Sequence, residues 1–187
     1  EITNDTESYS AAKQTPTITW IGAHMRGELV AIDLETTGLD KDHDEIIEIG
    51  AVRMREGEIL ETYATFINPK MPIPDRTTLL TGIQQEDVVS APVIDAALPD
   101  LVAFVGDAPI IGHSVGFDIG FLNKHGAFLT NIPLDTYDLA SVLIPRAPRY
   151  NLHNLTSMLD ITLEDAHRAL DDARAAGVLY WELYKRA

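Results

Sequence analysis

Asp33, Glu35, Asp118, His167 and Asp172 are the residues whose types and settings could do chemistry. Asp33 and Glu35 interrupt the apolar run that begins at Leu29-Val30-Ala31-Ile32 and is bounded by Gly38, a pattern that reads as a buried strand. Side chains alternate along a strand, so the two carboxylates share one face while Ile32 and Leu34 take the other. Two like charges on a largely buried strand must be protonated, or held by something strongly positive, and a divalent metal is the simplest answer. An isolated Asp-x-Glu more often marks the exposed end of an edge strand. The metal reading therefore rests on further acids arriving at the same place.

Asp118 shares a helical stripe with Phe121 and Leu122, three and four residues on, so its carboxylate lies on the face that should meet the core. A helix cap or a pair with Lys124 is the competing role. In the last helix Asp171 and Asp172 are adjacent, and only one can face inward. Asp171 falls on a stripe with Arg168, Arg174 and Ala175 that reads as solvated, whereas Asp172 falls with Ala169, Ala176 and Tyr180. Oxygen donors without cysteine suit Mg²⁺ or Mn²⁺, and two such ions can stabilise the attacking and leaving oxygens of phosphodiester hydrolysis. His167, at the start of that helix, then suits the role of general base toward an attacking water.

The elements that must position these residues follow from the pattern. Strands are expected over Glu28 to Glu35, Ile46 to Met54 and Ile59 to Ile67, the last two joined by a turn at Arg55-Glu56-Gly57-Glu58. A short apolar element closes at Gly82, and a helix opened by Ser90 and Pro92 runs to Gly106. A strand over Ala108 to Gly112, a helix from Val115 to Phe128 broken near Gly126, and a strand over Ile132 to Asp135 come next. Helices over Tyr137 to Ile144, Asn151 to Leu159 and Ala166 to Lys185 complete the chain. Three antiparallel strands followed by βα units point to one mixed α/β sheet with helices on both faces.

The chain has 187 residues, 45% of them hydrophobic, enough for one domain with a real core. Residues 1–24 read as a leader or vector-derived segment, with Gly22-Ala23-His24 ahead of a native start at Met25, and 25–187 as the domain. No cysteine is present, so disulfides, thiolate nucleophiles and Cys-based zinc sites are excluded. No apolar run is long enough to span a bilayer, and the expectation is a cytoplasmic protein with no membrane partner. The net charge of −15 opposes gripping long nucleic acid by charge alone. A polyanionic substrate must be held locally, through metal and a few cations such as Lys124, Arg146, Arg149 and Arg168.

Asp33-Leu34-Glu35-Thr36-Thr37-Gly38, His113-Ser114-(x3)-Asp118 and His167-(x4)-Asp172 together resemble the three motifs of the DnaQ-like DEDDh 3′→5′ exonuclease family, and the resemblance covers nearly everything after Met25. It implies a ribonuclease H-like fold, with Asp33, Glu35, Asp118 and Asp172 binding two metal ions and His167 as general base. It further implies that Thr36, Thr37, Leu80 and Ile83 hold the terminal nucleotide, and His113 sits where it can approach substrate. Ser114 departs from the family, in which Asn is commoner. The stretch from Asp138 to Leu152 is similar to members fused to DinG-type helicases or to polymerase III, which makes a helicase or polymerase the expected associate.

The expected activity is release of nucleoside monophosphates from the 3′ end of DNA, single-stranded by preference, in replication or repair. An exoribonuclease resembling oligoribonuclease or ribonuclease T has the same site and differs in contacts to the 2′-hydroxyl. A haloacid-dehalogenase-like phosphatase needs a second Asp where Glu35 stands. An inactive nucleic-acid-binding module on the same fold would have lost at least one of the five site residues, and none is missing.

Overall fold

The computed structural model describes residues 27–128 and 130–187; the expected leader lies outside them. Its centre is strand β1 (Leu29–Thr36), whose residues are almost all buried. β2 (Ile46–Arg55) pairs antiparallel with β1, and β3 (Glu58–Phe66) antiparallel with β2. β4 (Ile110–Gly112) lies parallel to β1 on its other side, and β5 (Pro133–Asp135) parallel to β4. The order is β3-β2-β1-β4-β5, the mixed sheet expected from the pattern.

The β2–β3 turn uses Glu56 and Gly57, both with positive φ, the backbone that a two-residue hairpin requires. A Cβ on Gly57 would meet Trp181 at 2.3 Å, so this turn also packs against the last helix. α1 (Asp75–Thr81) ends at Gly82 in the left-handed conformation, and the one-turn α2 (Gln85–Val88) follows, an element not foreseen from the sequence. α3 (Ile94–Val105) and α4 (Gly116–Asn123) cover one face of the sheet. There Val30, Ile32 and Leu34 pack with Leu101, Phe104, Phe121 and Leu122. α5 (Thr136–Leu143), α6 (Leu152–Met158) and α7 (Ala169–Tyr184) lie on the other side. α7 meets Leu29, Ala31 and Met54 of the sheet through Tyr180, and α5 and α6 through Leu179 and Leu183.

Helix boundaries differ from expectation in places: α3 starts at Ile94 after its N-cap Val93, not at Ser90 or Pro92. α4 stops at Asn123, before the left-handed Gly126. α7 starts at Ala169 rather than Ala166, because His167 has φ +66 and cannot continue a right-handed helix. The stripe expected to be solvated is also corrected. Ala175 is only 1% exposed, since α7 is enclosed both by the sheet and by α5 and α6.

Candidate active site

The alternation of β1 sends Val30, Ile32 and Leu34 into one core and turns Asp33 and Glu35 toward α7. Opposite them on β2 stand Gly50, paired with Asp33, and Glu48, paired with Glu35. Gly50 is required by α7. A Cβ there would lie 2.2 Å from the backbone of Ala169, so the bare strand lets the start of α7 rest on the sheet beside Asp33. Farther along, Gly177 makes the matching close approach to Ala31 and Met54.

Glu48 pins the same helix start. It is 5% exposed, accepts hydrogen bonds from Arg168 at 2.7 and 3.2 Å, and accepts one from the Ala169 amide at 3.0 Å. An orphan amide of the first helical turn is thus satisfied by a carboxylate from another element. Sequence reasoning passed over Glu48 inside the run Ile46-Ile47-Glu48-Ile49. The signal was there: a charge on a buried strand, on the face that carries Asp33 and Glu35.

His167, just outside the helix, donates its backbone N–H to Asp172 Oδ2 at 3.2 Å. Asp172 Oδ1 is buried with no hydrogen-bond partner among the described residues. Asp118 is 4% exposed in the first turn of α4 and accepts the Leu34 amide at 3.1 Å. The Lys124 partner considered for it pairs with Glu45 instead, at 2.8 Å.

Asp33, Glu35, Asp118, His167 and Asp172 line one cavity of about 350 Å³, whose wall is completed by Leu34, Leu39, His113, Ser114 and Phe117. Donor atoms of Glu35, His167 and Asp172 lie within 4.8 Å of one another. Burial first, and then the neighbouring carboxylates, raise Asp33 well above the ordinary carboxylate range. Burial followed by the Asp172 and Glu48 charges pushes Glu35 to about 8. Burial pushes Asp118 to about 8 against the pull of the backbone amides it accepts, and also raises Asp172, opposed by the His167 amide. Such a set is short of positive charge, and with one buried oxygen unpartnered it fits a hard divalent cation.

The expected nucleotide contacts divide. Thr36 and Leu80 line a neighbouring cavity of about 410 Å³ that shares Leu34, Glu35, Leu39 and Phe117 with the first. Leu80 is 58% exposed there. Thr37 and Ile83 do not reach it. Thr37 is fully buried, its hydroxyl donating to Asp44 and accepting from the Glu45 amide, and its carbonyl accepting from Thr77. Ile83 is buried with Ile47 and Val88. The Thr37 hydrogen bonds brace the loop and α1, and Ile83 packs α2 against β2. His113 stands at the rim, its Nδ1 2.9 Å from Thr136 Oγ1, and burial holds its imidazole below the ordinary value. Phe117 and Arg76, on the shared and outer walls, were not singled out from sequence.

The RNase T exonuclease family, described as Exonuclease, matches residues 30–180. The chain is 39% identical over 187 residues to the PolC-type DNA polymerase III of Clostridium perfringens, covering 96% of this chain and 13% of that protein. It is 41% identical over 165 residues to the PolC-type enzyme of Latilactobacillus sakei, covering 86% and 11%. The chain thus spans about an eighth or less of the length of these relatives. Among solved structures, Exonuclease X in complex with 5′-overhanging duplex DNA is similar in fold at TM-score 0.72 and 23% identity, covering 84% of this chain and 91% of that one. The nuclease domain of 3′hExo, a DEDDh family member bound to rAMP, aligns at TM-score 0.73 and 19% identity, covering 84% and 92%. The E. coli Exonuclease I complex with a dT13 oligonucleotide aligns at 0.74 and 20%, covering 86% and 41%. With its ribonuclease H-like sheet and a family match running from β1 into α7, the chain belongs to the RNase T, DnaQ-like exonuclease family.

Proposed function

We propose that this domain, residues 25–187, hydrolyses phosphodiester bonds from the 3′ end of single-stranded DNA, one nucleoside monophosphate at a time. The observation that carries this reading is the gathering of Asp33, Glu35, Asp118 and Asp172 with His167 in one cavity, with Asp172 Oδ1 left unpartnered. DNA is preferred over RNA because the relatives at 39 and 41% identity are DNA polymerases. The partner in this reading is an associated or covalently linked polymerase, supported by the names of the same relatives, and the location is the cytoplasm. Among the described residues no helix is long and apolar enough to cross a membrane.

Asp33, Glu35, Asp118 and Asp172 would hold Mg²⁺ or Mn²⁺. Bound there, two such ions would supply charge stabilisation for the attacking and leaving oxygens. The chain's own residues do the rest. Leu80 and Thr36, on the adjacent cavity wall, receive the terminal nucleoside and so place its 5′-phosphate at the carboxylates. Leu34 N–H holds Asp118, and the His167 amide holds Asp172, so neither carboxylate has to be reoriented for substrate. His167, exposed at the cavity, takes the proton from the attacking water.

The test is digestion of equal-length single-stranded DNA and RNA, each labelled at the 5′ end, with Mn²⁺, with Mg²⁺ and with EDTA. A ladder shortening from the 3′ end of DNA that EDTA abolishes is the expected result. Faster loss of RNA would reassign the substrate, and cleavage in EDTA would overturn the metal assignment.

A further inference from the structure

The two cavities form one groove, since Leu34, Glu35, Leu39 and Phe117 belong to both. If the terminal nucleoside occupies the end at Leu80 and the scissile phosphate lies at the carboxylates, the remaining strand must leave on the far side. The His167 wall is preceded in the chain by the exposed Glu164 and Asp165, which repel a polyanion, and the His113 wall is the alternative.

Beyond His113 the surface changes character. The His113 ring stands edge-on to Tyr137 at 6.0 Å, and Tyr137 edge-on to Tyr150 at 5.9 Å. Tyr137 is 43% exposed in the first turn of α5. Tyr150 is fixed by donating its hydroxyl to the Ile144 carbonyl at 2.8 Å, and its own backbone reaches His113. The loop it closes, Pro145-Arg146-Ala147-Pro148-Arg149-Tyr150, carries two exposed guanidinium groups that make no ion pair with any other described residue. In a chain of net charge −15, two cations within four residues beside an aromatic row are a local reversal of sign. Of the two acids at this end of α5, Asp135 is engaged by the Ser114 and Tyr137 amides, and the exposed Asp138 follows Tyr137 and so points about 100° away around the helix.

We propose that the rim formed by His113, Tyr137 and the loop from Pro145 to Tyr150 carries the nucleotides 5′ of the scissile bond of a single-stranded polynucleotide, with Tyr137 stacking a base and Arg146 and Arg149 meeting the phosphates. The inference rests on the exonuclease reading and deepens it. A tyrosine face accepts any base, and paired arginines follow a backbone without reading sequence, so the track serves processive, sequence-tolerant digestion.

The experiment measures kcat/KM with Mn²⁺ on dT3 and dT12 for the wild-type chain, Tyr137→Ala, Tyr137→Phe and the double variant Arg146→Glu/Arg149→Glu. Wild type should gain with length. Tyr137→Ala should cut that gain about tenfold, the scale of one lost base stack, and Tyr137→Phe should restore it. The double variant should also flatten the dependence of log KM on log salt for dT12 by about 1.4, two phosphates at roughly 0.7 each. Thermal unfolding checks that each variant is folded, and should Tyr137→Ala fail, the exposed arginine pair decides the matter alone. A length gain and salt slope unchanged in the variants would overturn the track while leaving the exonuclease reading in place. No digestion of any oligonucleotide by wild type would overturn that reading and the track with it.

Discussion

Asp172 does two jobs with its two oxygens. Oδ2 holds the His167 backbone, while Oδ1 is buried without a partner among the described residues and available to a cation. Asp172→Asn keeps an acceptor for the His167 amide and removes the charge. Metal-dependent cleavage should be abolished, and the unfolding temperature of the metal-free protein should rise or hold, because one source of repulsion on Glu35 and Asp33 is gone. A variant that still digests DNA at the wild-type rate would remove Asp172 from the site. His167 sits at φ +66, a backbone region that asparagine tolerates better than alanine. His167→Asn therefore separates the imidazole from the backbone, and turnover should fall by roughly 10²- to 10⁴-fold with KM little changed. Single-turnover rates at saturating DNA measure this directly.

The start of α7 governs where both of these residues stand. It is held by Gly50, which permits contact with the sheet, and by Glu48, which accepts from Arg168 and from the Ala169 amide. Glu48→Ala strands a buried N–H, a loss of about 1–3 kcal/mol. The ion pair adds little to that, since the Arg168 side chain is 41% exposed and can turn to water. Chemical denaturation should register a fall in stability of that size, together with reduced turnover as Asp172 and His167 shift. Full activity at lowered stability would show that α7 is seated by Gly50 and core packing alone. The opposing wall is built in the same manner. Thr77 donates to the Thr37 carbonyl, tying α1 to the end of β1 and so presenting Leu80 at the groove.

Across the molecule, the gathered carboxylates couple stability to pH. Asp33, Glu35, Asp118 and Asp172 all have folded-state values raised above their ordinary ones, Glu35 and Asp118 to about 8. Between roughly pH 4 and 8 the folded, metal-free chain therefore holds more protons than the unfolded chain, and its stability is lost as pH rises through that window. In EDTA the unfolding temperature should drop by several degrees between pH 5.5 and 8.5. Saturating Mn²⁺ should restore more of it at pH 8.5, where the carboxylates are ionised and bind, than at pH 5.5. An unfolding temperature in EDTA that is flat or rising over this range would mean that the carboxylates are not held together in solution.

Much of this was legible in the residues because strand alternation and helical spacing are local properties. Placing Asp33 with Glu35, choosing Asp172 over Asp171 and locating the strands along the chain needed only periods of two and 3.6. Tertiary packing decided the rest. Thr37 and Ile83 turned inward because the loop after β1 and the end of α1 needed internal partners, a demand that no neighbour in sequence announces. His167 left the helix, and Glu48 became its anchor, because β2 and α7 are adjacent only in space, at 120 residues' separation. The chain's own pattern determined which carboxylates face inward. Only the folded molecule decided which of them meet, since Asp118 arrives on α4 under the Leu34 amide and Asp172 on a helix that rests against one glycine.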